Sequence, residues 1–349
     1  MNFFKSINLS IIKKPINHPI FLQKSKVAIV LVNLGTPDGT DYWSMRKYLK
    51  QFLMDKRVVD LFRPLWWLIL NGPILTFRPS KSGKAYKKIW DEKNHGSPLR
   101  KFTINQTNKI KDSFKDNDNL IIDYAMRYGN PGIDEVLNKV IKDGCSKLLL
   151  VPLYPQYSAS TTATVKDEVF KWMLKQRWQP DIRTIPPWFD DQNYIKALAN
   201  TVKSNIKNRD EIDTLVISFH GIPKRYFMAG DPYHCHCIKT ARLLKEELEW
   251  PDDKILVTFQ SRFGPEPWLQ PYTDKTIIEL AKSGKKSIAV IAPGFISDCL
   301  ETLEELNVEG RELFIDHGGE NFHYIPCLND NKYSVNFLNT IIKQNLLGW

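Results

Sequence analysis

A chain of 349 residues is about twice the ~150 residues of a typical domain, which predicts two lobes that each bury a core. Apolar residues make up 42% and charged residues 25%, with 17 Gly and 21 Pro, a composition that excludes collagen-like and intrinsically disordered proteins. The net charge of +10 suits nucleic acid, an anionic membrane surface or an anionic substrate, and its sign alone does not choose among them.

Five cysteines are an odd number in a long chain, which argues against a disulfide framework and predicts a reducing, cytoplasmic compartment. The N-terminal stretch lacks the apolar run of about 7 residues and the small-residue cleavage site that define a signal peptide. We therefore expect residues 1–25 to form a basic N-terminal arm.

Short runs that are apolar throughout alternate along the chain with segments of helical period. The apolar runs predict strands buried on both faces, at 27–32, 120–125, 147–153, 214–219, 255–259 and 287–292. The helical patterns cover 134–142, 163–174, 194–206, 233–248, 273–281 and 331–347. This alternation predicts an α/β fold with parallel sheets, whose ligands bind at the carboxyl ends of the strands.

A proline-bearing stretch near the middle of the chain predicts a lobe boundary at about Tyr157. We accordingly expect an N-terminal α/β lobe over 26–157 and a C-terminal α/β lobe over 158–325. The remaining segment, 326–349, is predicted to form a helix that packs back on the first lobe.

The most hydrophobic segment, 61–77, is interrupted by Arg63, Pro64, Asn71, Gly72 and Pro73. A membrane-spanning helix needs ~20 largely apolar residues, so this segment is not expected to cross a bilayer. Trp66 and Trp67 between basic flanks suit a lip that rests in a membrane interface. An amphipathic core helix would give the same pattern, and both interpretations stay open.

Two further patterns bear on cofactors. The chain contains neither G-x-G-x-x-G nor G-x-x-x-x-G-K-[ST], so no nucleotide cofactor is expected. His234, Cys235, His236 and Cys237 are contiguous, which departs from the C-x₂-C spacing of zinc sites and argues against a metal centre there.

His220 ends the apolar run TLVISF and is followed by Gly221, which predicts an imidazole at a strand terminus. A neutral imidazole can accept a proton or bind Fe²⁺. The alternative is a packed histidine that is bonded to a backbone carbonyl.

The run DCLETLEELNVE, 298–309, predicts a helix that follows a buried strand. Asp298 as N-cap with Glu301 three residues later would form a capping box. At about 100° per residue, Glu305 and Glu309 lie roughly 40° and 80° round from Glu301, so the three carboxylates share one face. Either a solvated acidic face or a path for cations would tolerate them.

Several motifs in one order carry a family resemblance: SFHGIP, GDPY, TFQSRFGPEPWLQPYT and PGFISDCLETLEEL. LVNLGTP, HGSPL, RYGNP and YPQYSASTT extend it over most of the chain, from Val27 to Asn329. The chain resembles the ferrochelatases. The resemblance implies a lyase with two Rossmann-like lobes and a cleft between them, which inserts Fe²⁺ into protoporphyrin IX to form protohaem.

The resemblance also implies roles for individual residues. His220 and Glu301 match the catalytic and metal-contacting pair, and Glu305 and Glu309 match an acidic ridge that conducts protons or cations. The porphyrin-binding positions correspond to Leu34, Arg78, Ser97, Arg127, Tyr128 and Trp268.

The sequence departs from its relatives at three places. Leu34 stands where some have Met or Tyr near the metal, and Cys299 stands where some have a histidine. No cysteine follows Cys327, so we expect no iron–sulfur cluster. The expected partners are protoporphyrin IX and Fe²⁺ as substrates, with peripheral contact at the cytoplasmic face of the inner membrane and no nucleic acid. Coproporphyrin III chelation and a non-catalytic tetrapyrrole carrier remain alternatives.

Overall fold

The computed structural model describes residues 25–349, so the expected arm at 1–25 lies outside the described residues apart from Ser25. Two parallel sheets of four strands form its frame. The first has the order β2-β1-β3-β4, with β1 Lys26–Gly35, β2 Leu120–Tyr128, β3 Cys145–Pro152 and β4 Asp181–Thr184. The second has the order β6-β5-β7-β8, with β5 Thr214–His220, β6 Ile255–Gln260, β7 Ser287–Ile291 and β8 Asn321–Ile325.

Helices connect the strands and cover the sheets. The α-helices span Tyr42–Leu53, Arg63–Ile69, Leu75–Ile89, Pro98–Ser113, Ile133–Lys142, Thr164–Leu174, Gln192–Asn205, Lys224–Met228, Tyr233–Leu248, Thr273–Lys282, Gly310–Asp316 and Lys332–Leu346. Wider π-helical turns precede three of them, at Leu70–Ile74, Ala159–Ala163 and Glu301–Glu309. The repeated strand order and the parallel sheets confirm the predicted α/β class of two Rossmann-like lobes.

The six predicted strands correspond to β1, β2, β3, β5, β6 and β7, and β4 and β8 were missed. β5 and β7 are buried along almost their whole length, which is why they read as continuous apolar runs. β4 and β8 lie at the sheet edges and expose part of their surface, so polar residues interrupt their patterns.

The expected boundary at residue 157 was placed too early for the first sheet. β4, at 181–184, pairs in parallel with β3 and therefore belongs to that sheet. One apolar cluster also runs through both sheets, since Leu31 and Leu149 share it with Ile217 and Phe219. The helix Lys332–Leu346 adds Phe337, Leu338, Ile341 and Ile342 to this shared core. The lobes therefore do not bury wholly separate cores.

The segment 61–77 divides its residues between a core and a surface. Trp66 is 4% exposed and its indole Nε1 donates a 2.7 Å hydrogen bond to the carbonyl of Leu53. Other apolar side chains of the segment are exposed and form what we call the apolar lip: Leu61, Phe62, Leu65, Trp67, Leu68, Ile69 and Phe77. Within residues 25–349, no helix combines the length and apolarity needed to cross a bilayer.

Gly35 at the end of β1 gives a test of the sheet packing. It has φ +105°, and a Cβ there would lie 1.7 Å from the carbonyl oxygen of Tyr128, whereas Gly230 has φ +98° and open space. Gly230→Ala should lower the free energy of unfolding by about 1–2 kcal/mol, because an alanine at this positive φ is strained even without a steric clash. Gly35→Ala should cost about 1–3 kcal/mol more, because the new methyl group overlaps β2. Urea unfolding of both variants measures the difference, and equal losses would contradict this packing.

Candidate functional site

The site begins where two neighbouring strands of the second sheet end. β5 ends at His220 and β6 ends at Gln260, and these two residues are partners in the parallel ladder. The Gly221 N–H donates to the Gln260 carbonyl over 2.8 Å. His220 therefore lies at the carboxyl edge of the sheet, where open α/β folds bind their ligands.

The His220 ring is oriented by a backbone bond. Its Nδ1 lies 2.6 Å from the carbonyl oxygen of Gly221. Because a carbonyl can only accept, the hydrogen of the neutral ring is on Nδ1 and the Nε2 lone pair remains available. The two interpretations of His220 are thus compatible, since the backbone bond fixes the tautomer that a base or a metal ligand requires.

Aromatic rings surround this imidazole. The ring centroids of Trp268 and Phe295 lie 6.5 and 6.4 Å from that of His220. The Trp268 indole Nε1 donates a 2.9 Å hydrogen bond to the Phe263 carbonyl, which fixes the ring in its loop. The neighbourhood of His220 thus offers apolar surface to a flat substrate.

Hydrogen bonds from the end of β6 position the π-helical segment Glu301–Glu309. Gln260 Nε2 donates 2.8 Å to the Glu301 carbonyl, while the Ser218 hydroxyl donates to Gln260 Oε1 and sets the amide orientation. The Ser261 N–H donates 2.8 Å to Glu305 Oε1, and the Ser261 hydroxyl donates to Glu305 Oε2. The first turn of the segment is therefore tied directly beside His220.

Glu305 is the carboxylate whose environment is most perturbed. Burial raises the pKa of Glu305, and the negative charge of Glu301 adds to the increase, while the Ser261 hydrogen bonds and the charge of His220 oppose it. Glu305 therefore retains a proton to higher pH than an exposed glutamate. A carboxyl group with a raised pKa next to an imidazole suits a reaction that releases protons.

The first lobe presents Arg78 on the opposite side. The Arg78 guanidinium lies 4.7 Å from the Phe263 ring, and its buried Nη1 has no hydrogen-bond partner among residues 25–349. Burial lowers the pKa of Arg78, and the negative charge of Glu301 opposes that shift. A largely buried cation without a paired carboxylate in the described chain is suited to an anionic group of a ligand.

Two tyrosines stand beside Arg78 on the first lobe. Burial raises the pKa of both Tyr48 and Tyr86, and the charge of Glu301 raises each of them further. The carboxylate of Glu301 is therefore close enough to the first lobe to act on all three side chains. Glu301 thus lies near the first lobe, while the hydrogen bond from Gln260 holds its backbone beside the strand end that carries His220.

Asp298 does not cap the helix as expected. Its carboxylate accepts hydrogen bonds from Thr302 Oγ1, Tyr324 and Asn329, and the π-helical segment starts after Leu300 without a side-chain cap. The capping-box prediction was wrong because these three side chains take up the oxygen atoms of Asp298.

Glu309 does not continue the contacts of Glu301 and Glu305. Burial raises the pKa of Glu309, and the charges that act on it come from Glu304, Lys88 and Glu312. The segment is π-helical rather than the α-helix used for the predicted face, which changes the angle between successive carboxylates.

The other predicted residues take separate positions. Leu34 packs between two apolar clusters of the first lobe, and Ser97 is buried before the helix Pro98–Ser113. Arg127 Nη2 lies 2.5 Å from Asp55 Oδ2, and the Tyr128 hydroxyl donates 2.8 Å to the same oxygen. Both side chains are thus engaged by Asp55 in this structure.

The cavity next to Arg127 is distinct from the His220 site. It has a volume of about 1020 Å³ and lies between the lobes, with Asp55, Arg57 and Asp167 from the first lobe facing Tyr226 and Asp231 from the second. Neither His220 nor Glu301 lines it. Its charges are largely paired, as in the 2.7 Å contact between Arg57 and Asp167.

The cysteine- and histidine-rich run has a structural explanation. His236 Nδ1 accepts the Tyr157 N–H at 3.1 Å, and its ring stacks on Phe189 at 3.6 Å. Burial also raises the pKa of the Cys299 thiol, and the charge of Glu301 adds to that increase. Across residues 25–349, no group of three or more His, Cys, Asp or Glu is arranged to hold a metal ion.

Sequence reasoning found only one of the residues that hold the site together. It placed Gln260 at the end of a predicted strand, where ligands are expected to bind, and missed the adjacent Ser261. Tyr48 and Tyr86 lie on helices whose sequences show only an amphipathic pattern, and Asp55 follows a helix end without a distinguishing motif. Their roles depend on contacts between distant parts of the chain.

Comparison with known proteins identifies the family of the chain. The family model for ferrochelatase matches residues 26–346. The chain belongs to the ferrochelatase family. It is 55% identical to the ferrochelatase of Allorhizobium ampelinum over 336 residues, covering 96% of this chain and 97% of that one. The ferrochelatase of Agrobacterium fabrum is 53% identical with the same coverage.

Solved structures show the same fold at low identity. SirB from Bacillus subtilis with Fe³⁺ matches with a TM-score of 0.54 and 14% identity, over 92% of this chain and 96% of that one. SirB from Bacillus subtilis subspecies spizizenii in complex with cobalt, a sirohydrochlorin chelatase, gives a TM-score of 0.52, with coverage of 93% and 97%. The two-sheet frame is therefore a chelatase-like fold, and the family membership makes this chain a lyase that inserts metal into a porphyrin.

Asp55 provides a test of the network that engages Arg127. Burial raises the pKa of Asp55, but hydrogen bonds from Thr164, the Arg57 N–H and Tyr128, with the charge of Arg127, outweigh it and hold the pKa below the ordinary 3.8. Asp55→Asn should lower the free energy of unfolding by about 3 kcal/mol at pH 7, because it leaves Arg127 buried without its closest carboxylate.

The sign of the pH dependence follows from the lowered pKa. The contribution of Asp55 is complete above pH 3.8 and is lost as pH falls through its folded-state pKa. Urea unfolding should therefore show a difference in the free energy of unfolding between wild type and Asp55→Asn. This difference should be constant from pH 7 to pH 5 and should narrow below about pH 4. The exposed Asp118→Asn has the same charge change and should show no such gap. A gap that widens in acid would contradict the assignment.

Proposed function

We propose that this chain inserts Fe²⁺ into protoporphyrin IX to form protohaem, with His220 and Glu301 as the residues that contact the reacting centre. The observation that supports it is the placement of an available imidazole Nε2 and two carboxyl groups on one lobe, opposite Arg78 on the other, whose buried Nη1 has no hydrogen-bond partner in the described part of the chain. Fe²⁺ enters this site as a substrate.

The reaction requires a proton acceptor. The free-base porphyrin loses two N–H protons as one Fe²⁺ binds its four nitrogens, so the step releases two protons and changes no oxidation state. His220 accepts a proton through Nε2, and Glu301 supplies negative charge beside the entering dication. Glu305, whose raised pKa favours proton exchange, relays protons away from His220. Glu309 lies further along the same segment as the exit of this conduit.

The substrate is a large apolar plate with anionic carboxylates. Arg78 binds a propionate by a charge-assisted hydrogen bond, and Ser97 lies on the same lobe as a second polar contact. Leu34 and Trp268 provide apolar contacts to the ring. Arg127 and Tyr128 support the pocket wall indirectly, since both donate hydrogen bonds to Asp55.

The direct test is the rate of metal insertion by His220→Ala. We expect the rate with Fe²⁺ and protoporphyrin IX to fall by about 100-fold or more, because a general base of this kind contributes about that much. Porphyrin binding, measured by fluorescence quenching, should stay within about threefold of wild type because His220 does not hold the propionates. The exposed His323→Ala serves as the matched control and should retain full rate.

Two outcomes would change the proposal. Equal rates for wild type and His220→Ala would favour a non-catalytic tetrapyrrole carrier. Faster insertion into coproporphyrin III, which has more propionates, would identify that porphyrin as the substrate.

A visible absorption band in the purified protein before porphyrin is added would contradict the prediction that no iron–sulfur cluster is present.

We also propose a cytoplasmic protein that contacts the inner membrane peripherally through the apolar lip. Trp67 and Phe77 are 52% and 74% exposed, and basic side chains flank the lip in sequence. Exposed aromatic rings beside cations favour the interface of an anionic bilayer. A porphyrin that partitions into lipid would then enter the cleft directly, since Arg78 is the residue next to Phe77.

Liposome flotation tests the membrane contact. Trp66 is part of the core, so the informative substitutions are Trp67→Ser and Phe77→Ser. The double variant should lose about tenfold or more in partitioning to vesicles that contain anionic lipid, because two exposed rings leave the interface. Phe170→Ser removes a ring that is 54% exposed on the helix Thr164–Leu174 and should float like wild type. Unchanged flotation of the double variant would exclude the lip as the contact.

A further inference from the structure

One ion pair joins the two walls of the proposed porphyrin site. Lys88 Nζ on the first lobe lies 2.6 Å from Glu304 Oε1 on the second. The side chain of Glu304 is 10% exposed, and that of Lys88 is 55% exposed. Lys88 therefore reaches from the surface to a carboxylate that is almost buried.

Each partner is rigidly connected to a residue of the site. Lys88 and Arg78 lie on the same helix, Leu75–Ile89, near opposite ends. That helix is seated closely on the first lobe, since a Cβ on Gly83 would lie 2.4 Å from the Thr40 carbonyl oxygen. Glu304 follows Glu301 by three residues on the π-helical segment and directly precedes Glu305.

The positive charge of Lys88 also acts on three nearby glutamates of the second lobe. Glu304, Glu309 and Glu312 all act on Lys88, and the hydrogen bond to Glu304 is the main cause that raises the pKa of Lys88. Without Lys88, the nearly buried Glu304 would lose its ion-pair partner and would still face the charge of Glu309. Repulsion would then move this part of the segment toward solvent.

We infer that the Lys88–Glu304 pair is a positioning device that sets the distance across the cleft between Arg78 and Glu301, and so the depth at which the porphyrin is held. This inference rests on the proposed function of Arg78 and Glu301. Neither Lys88 nor Glu304 contacts the reacting atoms in this account. Both act through the two walls that they connect.

Steady-state kinetics of Lys88→Met test the inference. The contact of Arg78 with a propionate is the same before and during metal insertion, so a changed spacing weakens substrate and transition state alike. KM for protoporphyrin IX should therefore rise by about five- to tenfold, while kcat changes by less than about twofold. Lys88→Arg keeps the charge and should stay within about twofold of the wild-type KM.

A matched control separates the pair from charge and stability. Lys87→Met makes the same charge change on the same helix, and no ion pair of Lys87 is found within residues 25–349. It should leave KM unchanged. Lys88→Met should lower the thermal unfolding midpoint more than Lys87→Met does, because it leaves the nearly buried Glu304 without its partner, and both variants should be folded at the assay temperature.

A double variant identifies the residue through which Lys88 acts. In an Arg78→Ala background, Lys88→Met should raise KM by less than about twofold, because the contact it positions is already absent. An unchanged KM for Lys88→Met would overturn the inference, and so would an equal increase with and without Arg78. If His220→Ala is inactive while Lys88→Met has the wild-type KM, this inference fails alone. If His220→Ala is fully active, the proposed site itself fails.

Discussion

The site depends on a small set of hydrogen bonds from the end of β6 to the π-helical segment. Gln260 and Ser261 hold the backbone of Glu301 and the carboxylate of Glu305 beside His220, which ends the neighbouring strand. Strand register and two polar side chains thus bring an imidazole and two carboxyl groups together from positions 81 and 85 residues apart in the chain. A π-helical turn in place of an α-helical one gives the glutamates their spacing.

The two lobes bring different chemistry to the cleft. In the proposed mechanism, the second lobe supplies the groups that accept protons and meet a cation, and the first supplies the largely buried cation of Arg78, which suits an anionic substrate. The Lys88–Glu304 ion pair joins the two walls of the cleft, so the distance between the walls depends on both lobes. The polar cavity beside Asp55 and Arg127 is separate from this site. Its charged side chains are largely paired with one another, so its two walls do not divide into a proton-accepting side and a cationic side.

The sequence was sufficient for the fold class, the central strands and the position of His220 at a strand end. It was insufficient where a residue's role depends on distant partners. Asp298 reads as a helix cap, yet Tyr324 and Asn329 bind it. Trp66 and Trp67 look equivalent in sequence, but one donates to Leu53 in the core and the other is exposed. β4 and β8 escape a pattern search because polar, partly exposed residues interrupt their apolar runs.

A crystal structure with free-base protoporphyrin IX tests the central claim most directly. The account predicts a ring held between the lobes, with His220 and Glu301 facing the macrocycle and a propionate within hydrogen-bonding distance of Arg78. A porphyrin seated instead in the cavity lined by Asp55 and Arg127, with His220 out of reach of the ring nitrogens, would contradict it.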